Sequence, residues 1–277
     1  MSLNKTFGLP DNASAHGYQI DAMLEFCHWF MLILLVGWSA FFLFTLWRFH
    51  HSRQPRASYS GVKNKMSTHL ELGVVMIEVL LLFGFAFPLW NQRINDYPDP
   101  EQSLQIRMVA EQFGWSAHYP GPDGMFGRGN PDLVTATNPL GLDHDDPAAA
   151  DDIVIRNTMR IPVNQPVIIS LSSKDVIHNF AIHQMRVAHD TIPGQEIPLW
   201  FTPIVEGEFE IICGQLCGWG HATMQAIAEV MPASDFQNWL DAQPGFNPAP
   251  AAEPTVADPA LTHHHHEEKP PKDDQGS

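Results

Sequence analysis

The stretch Cys213-Gly-Gln-Leu-Cys217-Gly-Trp-Gly-His221-Ala-Thr-Met224 gathers two thiols, an imidazole and a thioether within twelve residues. It reads C-x3-C-x3-H-x2-M and follows a predicted strand. The ligands are soft, which suits copper better than calcium or magnesium. Single-copper electron-transfer sites use one Cys, two His and a weak axial Met. A loop with two thiolates can instead bridge two metal ions, and each ion then needs its own imidazole. His178 is the best second candidate, in the alternating run Asp175-Val-Ile-His178-Asn-Phe180 about one hairpin upstream. Two other uses of these residues stay open. Two Cys and two His suffice for structural zinc, although C-x3-C is an uncommon zinc spacing and Met224 would be idle. A Cys213–Cys217 disulfide is feasible in an oxidising compartment, but it leaves His221 and Met224 unexplained. No C-x-x-C-H occurs, so no attached c-type haem is expected.

Such a loop needs a rigid frame. From about Asp96 the sequence turns to short β-rich runs separated by Pro and Gly: Ile153–Arg156, Val167–Ser172, Val176–Ile182, Leu199–Thr202, Glu208–Cys213 and Ala226–Met231. This pattern predicts an antiparallel sandwich or barrel. Ser234 is placed to cap a final helix over Asp235–Ala242. The segment 139–152 (PLGLDHDDPAAADD) reads as an acidic surface insertion, and His118–Arg128 as turn-rich structure. From Pro244 the chain is rich in Pro, Ala and charge, with four consecutive His at 263–266, and reads as a disordered tail.

The first 95 residues have a different character. Trp29 to Trp47 is nineteen residues without a formal charge, and Leu70 to Trp90 is apolar apart from Glu71 and Glu78. At about 1.5 Å per residue each run approaches a ~30 Å hydrocarbon core. Trp29, Trp47 and Trp90 stand at the ends, where aromatic belts lie. The first run begins more than twenty residues in and ends in basic residues, so it reads as a retained helix rather than a cleaved signal. The loop between the runs carries Arg48, Arg53, Arg56, Lys63 and Lys65 and no acid, which makes it cytoplasmic. Both termini and the β-rich part are then on the outer, periplasmic side of a bacterial-type cell membrane. The expected units are an N-terminal outer segment (1–23), a helical hairpin (24–95) with its basic loop (48–65), the β domain (96–243) and the tail (244–277).

Charge divides along the same line. Residues 1–95 carry a net +2 and residues 96–277 a net −18, from 15 Lys+Arg and 31 Asp+Glu in the 277-residue chain. Such a surface repels phosphates, which argues against nucleic acid, and complements a basic partner. Three Cys exclude a disulfide scaffold.

Two apolar helices followed by an acidic β domain ending in this loop resemble subunit II of the haem–copper cytochrome c oxidases, from about residue 20 to 243. The resemblance implies a cupredoxin-like Greek-key barrel and a binuclear Cu(A) centre held by His178, Cys213, Cys217, His221, Met224 and the backbone carbonyl of Gln215. Asp175-Val-Ile-His178 and Asp190-Thr-Ile-Pro-Gly194 are similar to two further family motifs. The family has Glu where Gln215 stands, and that side chain helps hold magnesium. An amide binds a hard cation more weakly, so the magnesium site is called into question. The family's Q-W-Y-W-S run is here Gln112-Phe113-Gly114-Trp115-Ser116, so the electron-entry position falls on Phe113, with Trp115 and Trp219 as further candidates. A family Glu that opens a proton-uptake path matches Glu71, and Glu78 lies two turns deeper on the same face.

The implied function is acceptance of single electrons from cytochrome c or a similar carrier. They pass on to haem in a separate subunit I, with subunit III as a further partner, for proton-coupled reduction of O2. A quinol oxidase subunit II would have lost the metal ligands. A nitrous-oxide reductase copper domain would follow a large propeller, for which this chain has no room. A copper-delivery protein would not need the twin helices or the intramembrane Glu.

Overall fold

The computed structural model describes residues 2–57, 59–61 and 64–246. A short turn, α1 (Leu3–Thr6), precedes the long helix α2 (Gly17–Arg48). A second long helix runs as α3 (Met66–Leu81), a π-helical turn (Leu82–Ala86) and α4 (Phe87–Asn95). Pro88 lacks the N–H that would close an α-turn onto Gly84, and the ladder widens there, with Phe87 N–H reaching the Leu82 carbonyl. Both helices exceed the apolar runs that predict them. α2 spans 32 residues, ~48 Å by helical rise, so its ends project beyond a ~30 Å hydrocarbon layer. Trp38, Phe41, Phe83 and most other side chains of the pair are exposed, and such an apolar surface is compatible with lipid rather than water. The chain is a membrane protein with two helices long and apolar enough to span a bilayer.

An acid near the start of α2 has a local use. The Glu25 carboxylate accepts the backbone N–H groups of Leu3 and Asn4 and the Ser2 hydroxyl, and so caps α1.

The remaining elements form two five-stranded sheets packed face to face. The strands are β1 (Leu104–Glu111), β2 (Gly114–Tyr119), β3 (Ile153–Arg156), β4 (Thr158–Pro162), β5 (Val167–Ser173), β6 (His178–Ile182), β7 (Val187–Thr191), β8 (Ile197–Phe201), β9 (Gly207–Cys213) and β10 (Gln225–Met231). One sheet is ordered β3-β2-β1-β5-β8 and the other β4-β10-β9-β6-β7. Alternate residues fill the space between them: Ile106, Met108 and Ala110 of β1, Val167, Ile169 and Leu171 of β5, Ala226, Ala228 and Val230 of β10.

The expected sandwich is therefore present, but not purely antiparallel. β1–β5 and β4–β10 run parallel. The chain also turns a corner at Asn157, where it leaves β3 in one sheet and enters β4 in the other. Asn157 takes the left-handed conformation (φ 55°) that Asn tolerates better than most residues. It exchanges hydrogen bonds with both Trp115 backbone groups and accepts one from Ile227, which pins both sheets at the switch.

Other expectations need correction. The strand predicted from Val176 begins only at His178, because Asp175 and Ser173 bond the backbone of Val176 and hold a loop. The last helix, α5 (Ala233–Asp241), starts after Pro232, and Ser234 lies inside its first turn without capping it. The 139–152 segment is anchored as well as acidic. Leu142, Ala149 and Asp152 are buried, Asn138 bonds both backbone groups of Leu142, and Asp152 meets buried His118 at 2.8 Å. Pro244–Phe246, expected in a disordered tail, is docked: Phe246 stacks on His144 at 4.9 Å and donates its N–H to Asp152. The rest of the expected tail, with His263–His266, lies outside the described residues.

The segment before α2 ties the helices to the sandwich. Ala13 exchanges backbone bonds with Gln184 and Ile204, and Ala15 bonds Thr202. Arg186 grips Asp21 of α2 at 2.6 Å and the Pro10 carbonyl. At the end of α4, the Arg93 guanidinium lies 3.8 Å from the Trp200 ring, and the Trp200 indole donates to the Arg93 carbonyl. His16 is buried beside Trp200. Burial, then the Arg93 charge, lowers its pKa from 6.5 to about 4.

A depressed histidine pKa means that the folded state holds the neutral ring. As pH falls from about 6.5 toward about 4, the unfolded chain takes the proton first and the junction loses stability. Limited proteolysis of the detergent-solubilised chain should show faster cleavage around residues 10–16 over that window, and His16→Phe should flatten the dependence.

Candidate metal centre

β9 and β10 are neighbours in an antiparallel ladder that pairs Ile212 with Gln225. Both ends of the loop between them are therefore clamped, and Cys213 N–H closes onto the Met224 carbonyl at 3.3 Å. Cys213 ends β9, Met224 immediately precedes β10, and a 3-10 turn over His221–Thr223 brings the imidazole back. His178 arrives from β6, which pairs with β9 through Phe180 and Cys213. Its side chain is fully buried.

All the donors named from the sequence meet. The two sulfurs lie 3.8 Å apart. His178 Nδ1 is 3.9 Å from Cys213 Sγ and 3.1 Å from Met224 Sδ. His221 Nδ1 is 3.6 Å from Cys217 Sγ, and Met224 Sδ is 3.7 Å from the same sulfur. The Gln215 carbonyl lies 3.1 Å from Cys213 Sγ, while the Gln215 side chain is solvent-exposed. Cys213 and Cys217 are free thiols.

Burial, reinforced by the neighbouring Cys213, pushes the Cys217 thiol up to about 11. Ionising Cys217 is therefore favoured by a cation beside it. The donors are sulfur and imidazole, with one carbonyl, in a pocket where His178, Cys213, Cys217 and Met224 are buried. That set fits copper, and Met224 stands where a structural zinc site would need no fifth ligand.

A second layer orients the ligands. Asp175 Oδ1 meets His178 Nε2 at 2.8 Å, which leaves Nδ1 with its lone pair toward the sulfurs. Burial works to raise the Asp175 pKa, but hydrogen bonds from His178, Gln112 and Val176 outweigh it and hold the carboxyl below its usual range. The Asp190 carboxylate accepts from Asn179, whose carbonyl takes the Gly214 N–H. A Cβ at Gly214 would lie 2.6 Å from Asn179 Oδ1, so a side chain there would displace the Asn179 amide from Asp190.

The aromatic candidates are placed differently from one another. Trp115 is fully buried, edge-on to His178 at 6.2 Å. Trp219 is 95% exposed and packs on Phe113 at 5.3 Å. Phe113 lies under the loop, against Gly218 and Gly220. Glu71 and Glu78 are away from the pocket, both exposed on α3, and Ser67 reaches Glu71 at 3.4 Å. Sequence reasoning missed the orienting parts of Asn179, Asp190 and Gln112. Asp190 and Gln112 each stood in a quoted motif, Asp190-Thr-Ile-Pro-Gly194 and Gln112-Phe113-Gly114-Trp115-Ser116, but without an orienting part.

The fold and the site together define a membrane-anchored β sandwich with a buried, thiol-centred pocket for soft metal. Residues 104–231 match the family described as cytochrome c oxidase subunit II, periplasmic domain. The chain is 31% identical over 236 residues to alternative cytochrome c oxidase subunit 2 of Bradyrhizobium diazoefficiens, covering 84% of this chain and 83% of that one. It is 27% identical over 238 residues to cytochrome c oxidase subunit 2 of Cereibacter sphaeroides, covering 77% and 75% respectively. Among solved structures, the periplasmic domain of subunit II of cytochrome oxidase (CoxB) of Bradyrhizobium japonicum aligns with a TM-score of 0.38 at 30% identity, over 51% of this chain and 94% of that one. The chain belongs to the cytochrome c oxidase subunit II family, whose members are subunits of an oxidoreductase complex.

The contact between loop and hairpin gives a direct test. A Cβ at Gly220 would lie 2.5 Å from the Phe113 ring. Gly220→Ala should cost about 1–3 kcal/mol of stability through overpacking, read as a lower thermal midpoint and weaker metal retention. Combining it with Phe113→Ala should cost less than the sum of the two single changes.

Proposed function

We propose that the pocket holds a binuclear Cu(A) centre and that the chain receives single electrons there and hands them to haem in a catalytic subunit I. The observation that carries this reading is the meeting of two central thiols with two imidazole nitrogens, a thioether and a carbonyl in one buried pocket. When bound, a copper pair supplies one-electron redox chemistry with the charge change spread over both ions. The chain's part is to keep the pocket dry, to aim both Nδ1 atoms at the sulfurs, and to hold the loop ends in a paired ladder so that little moves.

Phe113 and Trp219 form a continuous aromatic contact from the surface to the loop, and both are proposed as the entry path. Trp115 is proposed to pack behind His178 and to join that path only from the interior. The donor is read as a basic carrier such as cytochrome c. Residues 96–246 carry 6 Lys+Arg and 20 Asp+Glu, a field that would steer it. Subunit III is a further expected neighbour. No magnesium is assigned, because Gln215 offers an exposed amide where a carboxylate would be wanted. The orientation follows the basic loop: residues 48–65 inside, the sandwich and both termini outside.

The copper-loaded full chain should contain two coppers and give a mixed-valence EPR signal shared over both. A single-copper signal with localised hyperfine splitting would overturn the assignment. Cys217→Ser should abolish the shared signal, and Met224→Leu should keep the metal and shift the potential.

Glu71 is proposed to open proton uptake and Glu78 to continue it, since seven residues of regular α3 put both on one face. In the assembled oxidase, Glu71→Gln should slow turnover and leave reduction of the copper centre unchanged. Full turnover in both Glu71→Gln and Glu78→Gln would remove the proton role from this subunit.

A further inference from the structure

We infer that Gln112 is a positioning residue of the metal centre, joining through one side chain and one backbone group the two segments that carry the ligands. The inference rests on the reading of the pocket as a copper site.

Gln112 and Phe113 are the two residues between the paired ends Glu111 and Gly114, and so form the tip of the β1–β2 hairpin. That tip is rigidly held. Glu111 is ion-paired to both Arg156 and Lys174, and the Lys174 N–H donates to the Ala110 carbonyl. From the tip, Gln112 N–H donates to Asp175 Oδ2 at 2.7 Å. The other oxygen of that carboxylate holds His178 Nε2. Gln112 Nε2 donates to the carbonyl of Cys217, the thiol ligand in the middle of the loop. A closed circuit results: His178, Asp175, Gln112, Cys217, and back across the pocket through the sulfur and Met224.

Two features single out the side-chain bond. A Cβ at Gly218 would lie 2.7 Å from Gln112 Nε2, so the loop passes directly over the amide. Phe113, the other residue of the tip, lies against Gly218 and also against Gly220. The hairpin thus supports the loop by one polar and one apolar contact. The polar one acts on the backbone of a ligand residue, and it governs where Cys217 Sγ stands relative to His178.

The test compares wild type with Gln112→Met and Gln112→Ala in the copper-loaded full chain. Met matches Gln in length, carries no charge and donates nothing, and every variant keeps the backbone N–H to Asp175. A single net hydrogen bond predicts a roughly two- to tenfold faster release of copper to a chelator. It also predicts altered copper hyperfine splitting and a shifted reduction potential, with β-sheet circular dichroism unchanged. Wild-type release and an unmoved spectrum in Gln112→Met would overturn the inference. So would faster release with an unmoved spectrum and a lowered thermal midpoint, which marks support of the fold alone. A wild-type chain that took up no copper would overturn the reading of the site and this inference with it; two coppers in wild type and no effect in either variant would overturn this inference only.

Discussion

Two buried thiols held 3.8 Å apart are the constraint around which the rest is arranged. Cys217 does not ionise readily there, because burial and the neighbouring sulfur both oppose the charge. A cation resolves the conflict and makes the arrangement stable. The protein itself holds the sulfurs, imidazoles and thioether close. It does so with backbone pairing. The β9–β10 ladder clamps both ends of the loop, and the β6–β9 pairing sets the height at which His178 enters.

Support then passes outward in layers, each using a different interaction. Carboxylates orient the ligand elements: Asp175 fixes the His178 ring, and Asp190 holds Asn179, which receives the Gly214 N–H. Missing side chains let the loop lie close: Gly214 passes Asn179, and Gly218 and Gly220 lie over the hairpin tip. Aromatic edges fill the back, where Trp115 stands between His178 and Phe180. Orientation by hydrogen bonds and exclusion of water by packing are the two things a tuned metal site asks of its surroundings.

The ligand set was legible in the sequence because soft donors at loop spacing are rare together, and strand alternation revealed the sandwich. The helices were legible from their lack of charge. What escaped was whatever depends on a single residue's conformation or on contacts distant in sequence. Asn157 reads as an ordinary polar residue, yet it takes a left-handed φ at the point where the chain moves between sheets. Ser234 has the right type to cap α5, but Pro232 already ends the strand and starts the turn. The 139–152 segment looked superficial because its anchors are few and dispersed. Asp152 is buried against His118, a partner 34 positions earlier in the chain. The Gln112 contacts cross 63 and 105 positions, beyond the reach of any local pattern.

The junction between the helices and the sandwich explains why the metal domain is built onto its anchor rather than tethered to it. A flexible linker would let the pocket wander over distances set by chain length. Here each long helix has its own fastening. Arg186 holds Asp21 at the start of α2, and Arg93 and Trp200 grip each other reciprocally at the end of α4. Residues 13–15 add backbone bonds to the sandwich between these points. Arg186 reaches its geometry through a left-handed backbone (φ 55°), an uncommon conformation for a residue with a long side chain. Three independent contacts at separate points resist rotation as well as separation. A pocket held in that way keeps one distance and one orientation relative to the two long helices.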